Sequence, residues 1–324
     1  MAKVFITRKI PQIGIDLLKK KHAVRVYPKD QVIPRKELLN AVKWCDALLC
    51  LLTDKIDKEL LEINPKLKII SNYAVGFNNI DIKAATEKGI PVTNTPGVLT
   101  DAVAEHTLAL MLAVSKRIVE SDKFLRAGKY KSWAPLLLLG TQLKGKILGV
   151  IGLGRIGSEV AAKAQAMGMK IVYYDIKADK EFEKKFQAKF FSIPQLLKLS
   201  DFVSIHVPLL PTTTHLLSTK EFALMKKTAY LINTSRGPVI DEKALVIALQ
   251  KKQIAGAGLD VFEFEPKLAP GLAKLSNVVI TPHTASATIE ARSAMAEIAA
   301  KNILEVLSGR KGPTTVNPEV YRKL

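Results

Sequence analysis

The hydrophobic and polar positions of this chain change their spacing repeatedly along its length. Short apolar runs typical of buried strands alternate with longer stretches in which apolar residues recur every three or four positions, as on one face of a helix. In the first part of the chain the strand-like runs are Lys3–Ile6, Ala23–Tyr27, Ala47–Leu51, Lys68–Asn72 and Ile90–Thr93. Helical patterns such as Ile13–Lys20 and Arg35–Val42 lie between them. This alternation predicts a parallel sheet covered by helices.

A second series of the same kind follows a long helical stretch, Thr100–Val119, and a less regular segment, Gly128–Leu143. Its strand-like runs are Lys146–Ile151, Lys170–Asp175, Phe202–His206, Ala229–Asn233, Gly256–Asp260 and Val278–Ile280. We expect a last helical pattern, Ile289–Leu307, to return to the first domain. The sequence therefore predicts an α/β protein with two doubly wound parallel-sheet domains. One is built from residues 1–98 and 288–324, and the other, residues 99–287, is inserted between these segments.

The composition narrows the class of protein. With 324 residues, of which 48% are hydrophobic, the chain can build two cores of ordinary size. No apolar run approaches the roughly 20 residues of a membrane-spanning helix, and the N-terminus has the pattern of a strand and not of a signal peptide. Cys45 and Cys50 share one apolar stretch, which indicates buried thiols and a reducing, cytoplasmic location. The five histidines are scattered, so no metal site is predicted.

The formal net charge of +19 raises the question of a nucleic-acid partner. The basic residues are spread in ones and twos, the longest run being Lys19 to Lys21, and no basic motif with interleaved aromatic residues is present. We therefore interpret the charge as a solvated lysine-rich surface and predict no nucleic-acid partner. A positive field could also help to collect an anionic substrate and cofactor.

A glycine-rich turn follows the strand-like run Lys146–Ile151. The turn has the spacing G-x-G-x-x-G and consists of Gly152, Leu153, Gly154, Arg155, Ile156 and Gly157. The first glycine permits the tight turn, the second lets the backbone approach a pyrophosphate, and the third lets the next helix pack on the strand. The N-terminus of that helix offers free N–H groups to the phosphates. With a strand before it and a helix and strand after it, the motif predicts a Rossmann dinucleotide site.

Asp175 lies at the end of the next strand-like run, about 20 residues beyond the glycines, where a carboxylate can bind both hydroxyls of an adenosine ribose. Its charge would repel a 2′-phosphate, so we expect the cofactor to be NAD and not NADP. Lys177 and Lys180 weaken this inference, because a nearby cation could accommodate the phosphate.

Three later strand-like runs each lead into a residue that can do carbonyl chemistry: Arg236, Glu265 and His283. In a parallel sheet these positions lie on the same edge as the glycine turn. Arginine can grip a substrate carboxylate with two hydrogen bonds. Histidine can give a proton to the forming alkoxide as hydride arrives, and a neighbouring carboxylate favours its charged form. The trio therefore predicts hydride transfer to a small 2-oxo acid, with the nicotinamide supplying the redox chemistry.

The motifs around these residues resemble the D-isomer-specific 2-hydroxyacid dehydrogenase family, and the similarity covers nearly the full chain. The matching segments are Asn233–Gly237, Gly258–Glu263, Glu265–Pro266 and Thr281–His283, together with Asn72–Asp81 and Val92–Gly97 from the first domain. The resemblance implies a Rossmann NAD-binding domain inserted into a flavodoxin-like substrate domain. It also implies a cleft between the domains as the active site, domain closure around the substrate, and a homodimer formed largely through the inserted domain.

The resemblance also assigns roles to individual residues. Arg236 would anchor the substrate, Glu265 would be the partner of the histidine, and His283 would be the acid and base. The backbone N–H groups of Val75 and Gly76 would bind the substrate carboxylate. Leu51 would border the substrate pocket. The remaining residues implied to contact the cofactor are Thr100, Val207, Pro208, Thr234, Ser235 and Asp260, the last one at the nicotinamide carboxamide.

Within the family the likeness is to glyoxylate and hydroxypyruvate reductases, through Thr53–Asp57 and Trp133–Pro135. Trp133 could equally pack in a subunit interface. NADPH-preferring members of that subgroup usually carry a small and a basic residue at the positions of Asp175 and Ile176. A short phosphoglycerate dehydrogenase and an NAD-sensing corepressor-like binding protein stay open as alternatives, and formate dehydrogenase is disfavoured by Glu265.

The other four histidines have weaker claims to function. His106 lies on the apolar helical stretch, where packing is the simpler explanation. His206 follows a strand and is expected to line the adenine side through its backbone. No neighbours in the sequence support a role for His22 or His215.

Overall fold

Two parallel β-sheets organise the chain in a computed structural model that describes residues 1–322. One unit comprises Met1–Leu99 together with the chain from Ala287 onward, and the other comprises Thr100–Ser286. The strands are β1 (Lys3–Ile6), β2 (Ala23–Val26), β3 (Ala47–Cys50), β4 (Ile69–Asn72), β5 (Val92–Thr93), β6 (Ile147–Ile151), β7 (Lys170–Tyr174), β8 (Lys189–Phe190), β9 (Phe202–Ile205), β10 (Tyr230–Asn233), β11 (Gly256–Leu259) and β12 (Val278–Ile280).

Helices connect these strands, and several begin at a side chain suited to a helix N-terminus. The helices are α1 (Gln12–Lys19), α2 (Arg35–Trp44), α3 (Lys58–Ile63), α4 (Ile82–Glu87), α5 (Thr100–Ser115), α6 (Ile118–Arg126), α7 (Arg155–Ala166), α8 (Lys180–Phe186), α9 (Ile193–Leu199), α10 (Thr219–Leu224), α11 (Glu242–Gln250) and α12 (Ile289–Leu307). Asp57, Asp81, Asp179, Asp241 and Thr288 each accept a hydrogen bond from the N–H three residues on. These caps satisfy donors that have no partner inside the helix. Short 3-10 helices cover Gly237–Val239, Leu272–Lys274 and Pro318–Arg322.

The first unit holds a five-stranded sheet in the order β2-β1-β3-β4-β5, with parallel pairing throughout. This is the flavodoxin-like order. Every residue of the central strands β3 and β4 is buried, as expected for a sheet covered on both faces. The C-terminal helix α12 packs beside α1 and against β4, so the end of the chain completes the first unit.

The second unit holds a seven-stranded parallel sheet in the order β12-β11-β10-β9-β6-β7-β8. Counted within the unit, this is the Rossmann order extended by one strand, and the order reverses between β6 and β9. Two apolar clusters fill its two faces, one around Phe222 and Leu245 and the other around Met111 and Tyr173. The predicted fold class is confirmed.

The predicted helical stretch Thr100–Val119 is wrong in one respect, because it is two helices. Arg117 separates α5 from α6 with a left-handed backbone, φ 55°. The break coincides with a tertiary contact, in which the Thr141 N–H donates to the Ser115 carbonyl at 2.8 Å. A continuing helix would bring the N–H of Val119 to that carbonyl. The side chain of Arg117 then bonds both carboxylate oxygens of Glu120.

Candidate active site

The carboxyl ends of the seven parallel strands carry most of the residues selected from the sequence. The glycine turn follows β6, Asp175 follows β7, and Val207 and Pro208 come shortly after β9. Thr234, Ser235 and Arg236 follow β10, Asp260 and Glu265 follow β11, and His283 follows β12. Parallel pairing puts all of these ends on one edge of the sheet, at the place where open α/β sheets bind ligands.

The glycine turn has the geometry that a dinucleotide requires. Gly152 has a left-handed backbone with φ 96°, which a residue with a side chain adopts only with strain. A Cβ on Gly157 would lie 2.0 Å from the Gly152 carbonyl oxygen, so helix α7 packs against the turn only because that side chain is missing. A Cβ on Gly154 would meet nothing within 4 Å. The space above Gly154 and the N-terminus of α7 together fit a pyrophosphate.

Asp175 joins the glycine turn to the end of β7. One of its carboxylate oxygens accepts the Leu153 N–H at 2.6 Å and the other accepts the Ile176 N–H at 2.6 Å. The carboxylate borders a cavity of about 420 Å³, which is lined by Leu153, Asp175, Lys177, Ala178, Asp179, Lys180 and Glu181. The residues present therefore fit the adenosine end of a dinucleotide cofactor.

The remaining residues predicted to contact the cofactor differ in their exposure to solvent. Thr234 is buried, and its hydroxyl meets that of Thr107 at 2.8 Å. Ser235 is half-buried and is tied through its N–H and hydroxyl to the side-chain oxygen of Asn233. Val207 packs against the core, whereas Pro208 is exposed. Thr100 is half-buried at the start of α5. Their contact with a cofactor stays a prediction.

His206 follows β9, and its backbone packs against the glycine turn. A Cβ on Gly152 would lie 2.8 Å from the His206 carbonyl carbon. Burial lowers the pKa of the His206 imidazole to about 3. Its Nε2 instead makes a 2.8 Å hydrogen bond with the Ser204 hydroxyl. The surroundings of His206 therefore favour its neutral form.

His283 and Glu265 form a direct pair. The imidazole Nδ1 lies 3.0 Å from Glu265 Oε2, and both side chains are partly exposed. The backbone of His283 is left-handed, φ 53°, and its N–H donates to the Asp260 carbonyl at 2.9 Å. This backbone conformation is uncommon for a residue with a side chain, although histidine is among the residues enriched in it. Because Nδ1 faces the carboxylate, Nε2 is the nitrogen left to meet a substrate.

The charge state of this pair follows from its surroundings. Partial burial alone would raise the pKa of Glu265, but the contact with His283 and the Phe262 N–H outweigh it, so this pKa lies below its ordinary value. Burial lowers the pKa of Arg236, and the negative charge of Glu265 opposes that shift. Arg236 is half-buried and donates from Nη1 to the Ser235 carbonyl at 2.7 Å. Glu265 is therefore a carboxylate and Arg236 a guanidinium at neutral pH.

Asp260 holds the loop that carries His283. Its side chain is fully buried and accepts hydrogen bonds from the Thr281 hydroxyl at 2.6 Å and from the Thr284 and Ala285 N–H groups, both at 2.8 Å. Burial would raise the pKa of Asp260, but these bonds and the nearby His106 lower it overall. Contact of Asp260 with the nicotinamide stays a prediction.

His106 has polar partners that the sequence did not reveal. Its Nε2 lies 3.0 Å from the Thr281 hydroxyl and 3.5 Å from Asp260 Oδ1. These partners lie 175 and 154 positions away in the chain, so no local pattern could indicate them. The interpretation of His106 as a packing residue is incomplete, because it belongs to the network behind His283.

A second carboxylate–histidine pair supports the loop that carries Glu265. His215 Nε2 lies 2.7 Å from Glu263 Oε1, a partner 48 positions away that its neighbours in the sequence do not indicate. Buried Glu242 accepts the N–H groups of Glu263 and Ala269 at 2.8 and 2.9 Å and thereby holds both ends of the loop. A Cβ on Gly237 would lie 1.9 Å from Phe262, which explains a glycine directly after Arg236.

The first unit places Leu51, Val75 and Gly76 at the carboxyl edge of its own sheet, after β3 and β4. Leu51 is half-buried, and its N–H donates to Asp54 Oδ2 at 2.8 Å. Val75 and Gly76 are half-buried, and their carbonyls accept hydrogen bonds from asparagine side chains. Within residues 1–322 the N–H groups of Val75 and Gly76 have no hydrogen-bond acceptor. They are donors that an anion could use.

Comparison with known proteins decides the family. A family model described as D-isomer specific 2-hydroxyacid dehydrogenase, NAD binding domain, matches residues 108–285. The glyoxylate reductase of Thermococcus litoralis is 52% identical over 98% of this chain and 97% of its own length. The chain belongs to the D-isomer specific 2-hydroxyacid dehydrogenase family. The resemblance found in the sequence is confirmed, and this dehydrogenase is an oxidoreductase that uses a nicotinamide cofactor.

Solved structures agree with this placement of the dehydrogenase. The crystal structure of a Thermus thermophilus protein matches with a TM-score of 0.92 and 43% identity, covering 97% of this chain and 99% of that one. An NADPH-dependent glyoxylate/hydroxypyruvate reductase from Sinorhizobium meliloti, solved with NADP and malonate, matches with a TM-score of 0.84 and 28% identity. It covers 97% of this chain and 96% of its own.

Three further properties of the described residues concern membrane-spanning helices, metal sites and cysteines. No helix within residues 1–322 is long and apolar enough to cross a membrane. The same residues contain no group of His, Cys, Asp and Glu side chains that could hold a metal ion. Cys45 and Cys50 are free and buried, and burial raises the pKa of the Cys45 thiol to about 12.

Proposed function

We propose that this dehydrogenase reduces a small 2-oxo acid of the glyoxylate or hydroxypyruvate type to the D-2-hydroxy acid, and catalyses the reverse reaction. The observation that carries the proposal is the 3.0 Å contact between His283 and Glu265 at the carboxyl edge of the Rossmann sheet. A charged histidine is the proton donor that carbonyl reduction requires. The name of the Thermococcus litoralis relative supports glyoxylate as a substrate.

The proposed roles of the side chains follow from their charges. The nicotinamide, when bound, supplies the hydride. Arg236 binds the substrate carboxylate with its planar guanidinium and polarises the adjacent carbonyl. His283 donates a proton from Nε2 to the forming alkoxide, while Glu265 stabilises the imidazolium through Nδ1. After the transfer, the Nδ1 proton stays in the hydrogen bond with Glu265, so the ring keeps its orientation for the reverse step. The N–H groups of Val75 and Gly76 also bind the carboxylate.

We propose NAD as the preferred cofactor. Asp175 borders the cavity beside the glycine turn, where its negative charge favours two ribose hydroxyls and repels a 2′-phosphate. Lys177 and Lys180 line the same cavity, but Lys180 is paired with Glu183 at 2.9 Å, which offsets its charge. The Sinorhizobium meliloti relative is described as NADPH-dependent, so the two cofactors need direct comparison in the same assay.

A panel of 2-oxo acids tests the function directly. Loss of NADH absorbance is followed with glyoxylate, hydroxypyruvate, pyruvate and 3-phosphohydroxypyruvate, and the chirality of each product is determined. His283→Ala, purified in parallel, controls for contaminating reductases. The proposal expects turnover of the small acids and a D-product. A preference for 3-phosphohydroxypyruvate would indicate a phosphoglycerate dehydrogenase, and flat traces with every acid would favour an NAD-sensing binding protein.

We further propose that the dehydrogenase is a cytoplasmic homodimer. The segment 130–139 of the second unit has neither helix nor strand and exposes large apolar side chains. Trp133 and Leu136 are 78% and 79% exposed, and Tyr130 and Leu139 are also exposed. Such a patch is typical of a protein interface. Light scattering should give twice the chain mass of 35.6 kDa, and the mass of a single chain would contradict the dimer.

The proposed cytoplasmic location rests on the cysteines. The free, buried cysteines are consistent with a reducing compartment.

A further inference from the structure

In the loop after β4, three successive backbone carbonyls, those of residues 74–76, accept hydrogen bonds from other parts of the first unit. The Ala74 carbonyl accepts the Thr95 N–H at 2.9 Å. The Val75 carbonyl accepts Asn94 Nδ2 at 2.8 Å, and the Gly76 carbonyl accepts Asn72 Nδ2 at 2.8 Å. Asn72 is fully buried and Asn94 is 8% exposed, so water does not compete freely for these amides.

These bonds fix the directions of the N–H groups in the loop. In a trans peptide the C=O and the following N–H point in opposite directions, and the only cis peptide within the described residues is Glu265–Pro266. Holding the Val75 carbonyl against Asn94 therefore turns the Gly76 N–H away from Asn94. Holding the Ala74 carbonyl against Thr95 turns the Val75 N–H away from Thr95. Both N–H groups lack an acceptor within residues 1–322.

Asn94 is itself fixed by the C-terminal part of the first unit. Its N–H donates to the Thr314 carbonyl at 3.2 Å, and its carbonyl accepts the Thr314 hydroxyl at 2.6 Å. Asn302 Nδ2 donates to that same hydroxyl at 2.7 Å. The amide of Asn94 therefore projects from a backbone that is bonded on both sides. This rigidity is what a group needs in order to orient a neighbouring peptide.

We propose that Asn94 is a positioning residue for the substrate carboxylate. Its side-chain amide holds the Val75–Gly76 peptide in the one orientation that presents the Gly76 N–H to a carboxylate. Asn94 does not touch the substrate itself. The inference deepens the proposed function, because it takes the carboxylate of a small 2-oxo acid as the anion that these N–H groups bind.

The chain offers a matched control in Asn64. This asparagine is also buried in the first unit, and its Nδ2 donates to the carbonyls of Val42 and Cys45, both at 2.7 Å. Asn64→Ala removes two hydrogen bonds from a side-chain amide to backbone carbonyls, whereas Asn94→Ala removes one. The bonds of Asn64 do not involve the loop after β4. A purely structural role of Asn94 would give the two variants similar losses of Tm and similar kinetics.

The test compares Asn94→Ala, Asn94→Asp and Asn64→Ala with the wild type. Asn94→Ala should raise KM for the 2-oxo acid about tenfold, which corresponds to about 1.4 kcal/mol and to one hydrogen bond. The change in kcat should stay within about threefold, and KM for NADH should stay unchanged. Asn94→Asp should be at least as harmful, because an aspartate has the same shape but cannot donate to the Val75 carbonyl. Asn64→Ala should leave KM for the acid unchanged.

Calorimetric titration with oxalate, in the presence of NADH, separates this inference from the proposed function. If no 2-oxo acid is turned over, the proposed function fails, but weaker oxalate binding by Asn94→Ala than by Asn64→Ala still supports the positioning role. Oxalate affinity that is equal in the wild type and Asn94→Ala would overturn the inference. It is also overturned if the wild type does not bind oxalate, or if Asn64→Ala raises KM as much as Asn94→Ala.

Discussion

The two units differ in the kinds of groups that we propose for binding and converting an anionic substrate. In the first unit the loop after β4 offers peptide N–H groups whose directions are set by buried amides such as Asn94. In the second unit the loops after β10, β11 and β12 offer the ionisable side chains of Arg236, Glu265 and His283. Peptide N–H groups do not titrate, whereas a histidine does near neutral pH. The N–H groups of the first unit and the guanidinium of Arg236 should therefore contribute to substrate affinity at every pH, whereas the pH dependence of the rate should come from His283.

The largest effect is expected at His283, which we propose as the proton donor. His283→Ala should lower kcat for reduction at least about a hundredfold, the usual contribution of a positioned acid, while NADH affinity stays near that of the wild type. Steady-state kinetics and a fluorescence titration with NADH measure the two quantities. His215→Ala is the matched control, since His215 forms the other histidine–glutamate pair of this unit. Equal losses of kcat in His283→Ala and His215→Ala would contradict the assignment of His283 as the proton donor.

Arg236→Ala should lower kcat/KM for 2-oxo acids on the order of a hundredfold, because hydrogen bonds to a charged partner are each worth about 1.5–3 kcal/mol. Arg236→Lys should recover little, since lysine lacks the planar fork. NADH binding should be unaffected. The exposed pair of Arg126 with Asp122 provides the control, and Arg126→Ala should behave like the wild type. Near-normal kcat/KM in Arg236→Ala would show that substrate anchoring belongs to the first unit alone.

Asp175→Ala should narrow the preference for NADH over NADPH about tenfold without changing KM for the 2-oxo acid. The reason is the loss of the carboxylate that borders the cavity beside the glycine turn. Asp175→Asn keeps the shape of the side chain and one acceptor oxygen, for the N–H of either Leu153 or Ile176, and removes the charge. The ratio of kcat/KM for the two cofactors is the measurement. An unchanged ratio in both variants would mean that Asp175 serves only to connect β7 to the glycine turn.

Much of the fold could be predicted because buried parallel strands are continuous apolar runs. The strands β1 and β12 and the helix α12 have the predicted bounds, and the other predicted strands differ by one or two residues at their ends. The edge strand β8 was not predicted, since Lys189–Phe190 is short and exposed and forms no apolar run. The helix break at Arg117 was not predicted either, and it coincides with a contact that a segment distant in the sequence makes to the Ser115 carbonyl.

In the candidate site, too, some features could be predicted from the local sequence, whereas others depend on the tertiary structure. The proximity of Glu265 to His283 follows from the rule that parallel strand ends share an edge. The partners of His106 and His215 lie elsewhere in the chain, and only the paths of the loops bring them together. The hold of Asn94 on the Val75 carbonyl also depends on the loop paths, because the two residues are 19 positions apart. Residues that support a functional group are therefore harder to find from sequence than the group itself.

The most direct test of this account is kcat/KM for reduction against pH in the wild type and Glu265→Gln. Reduction needs the charged imidazole of His283, so the rate should fall as pH rises. Glu265 has a lowered pKa and is ionised throughout the neutral range, so its stabilisation of that charge is lost only in acid. Removing the negative charge beside the imidazole should move the midpoint of the fall to lower pH. Asn94→Ala should leave the midpoint in place. Superimposable profiles for the wild type and Glu265→Gln would contradict the central claim that the His283–Glu265 pair sets the proton step.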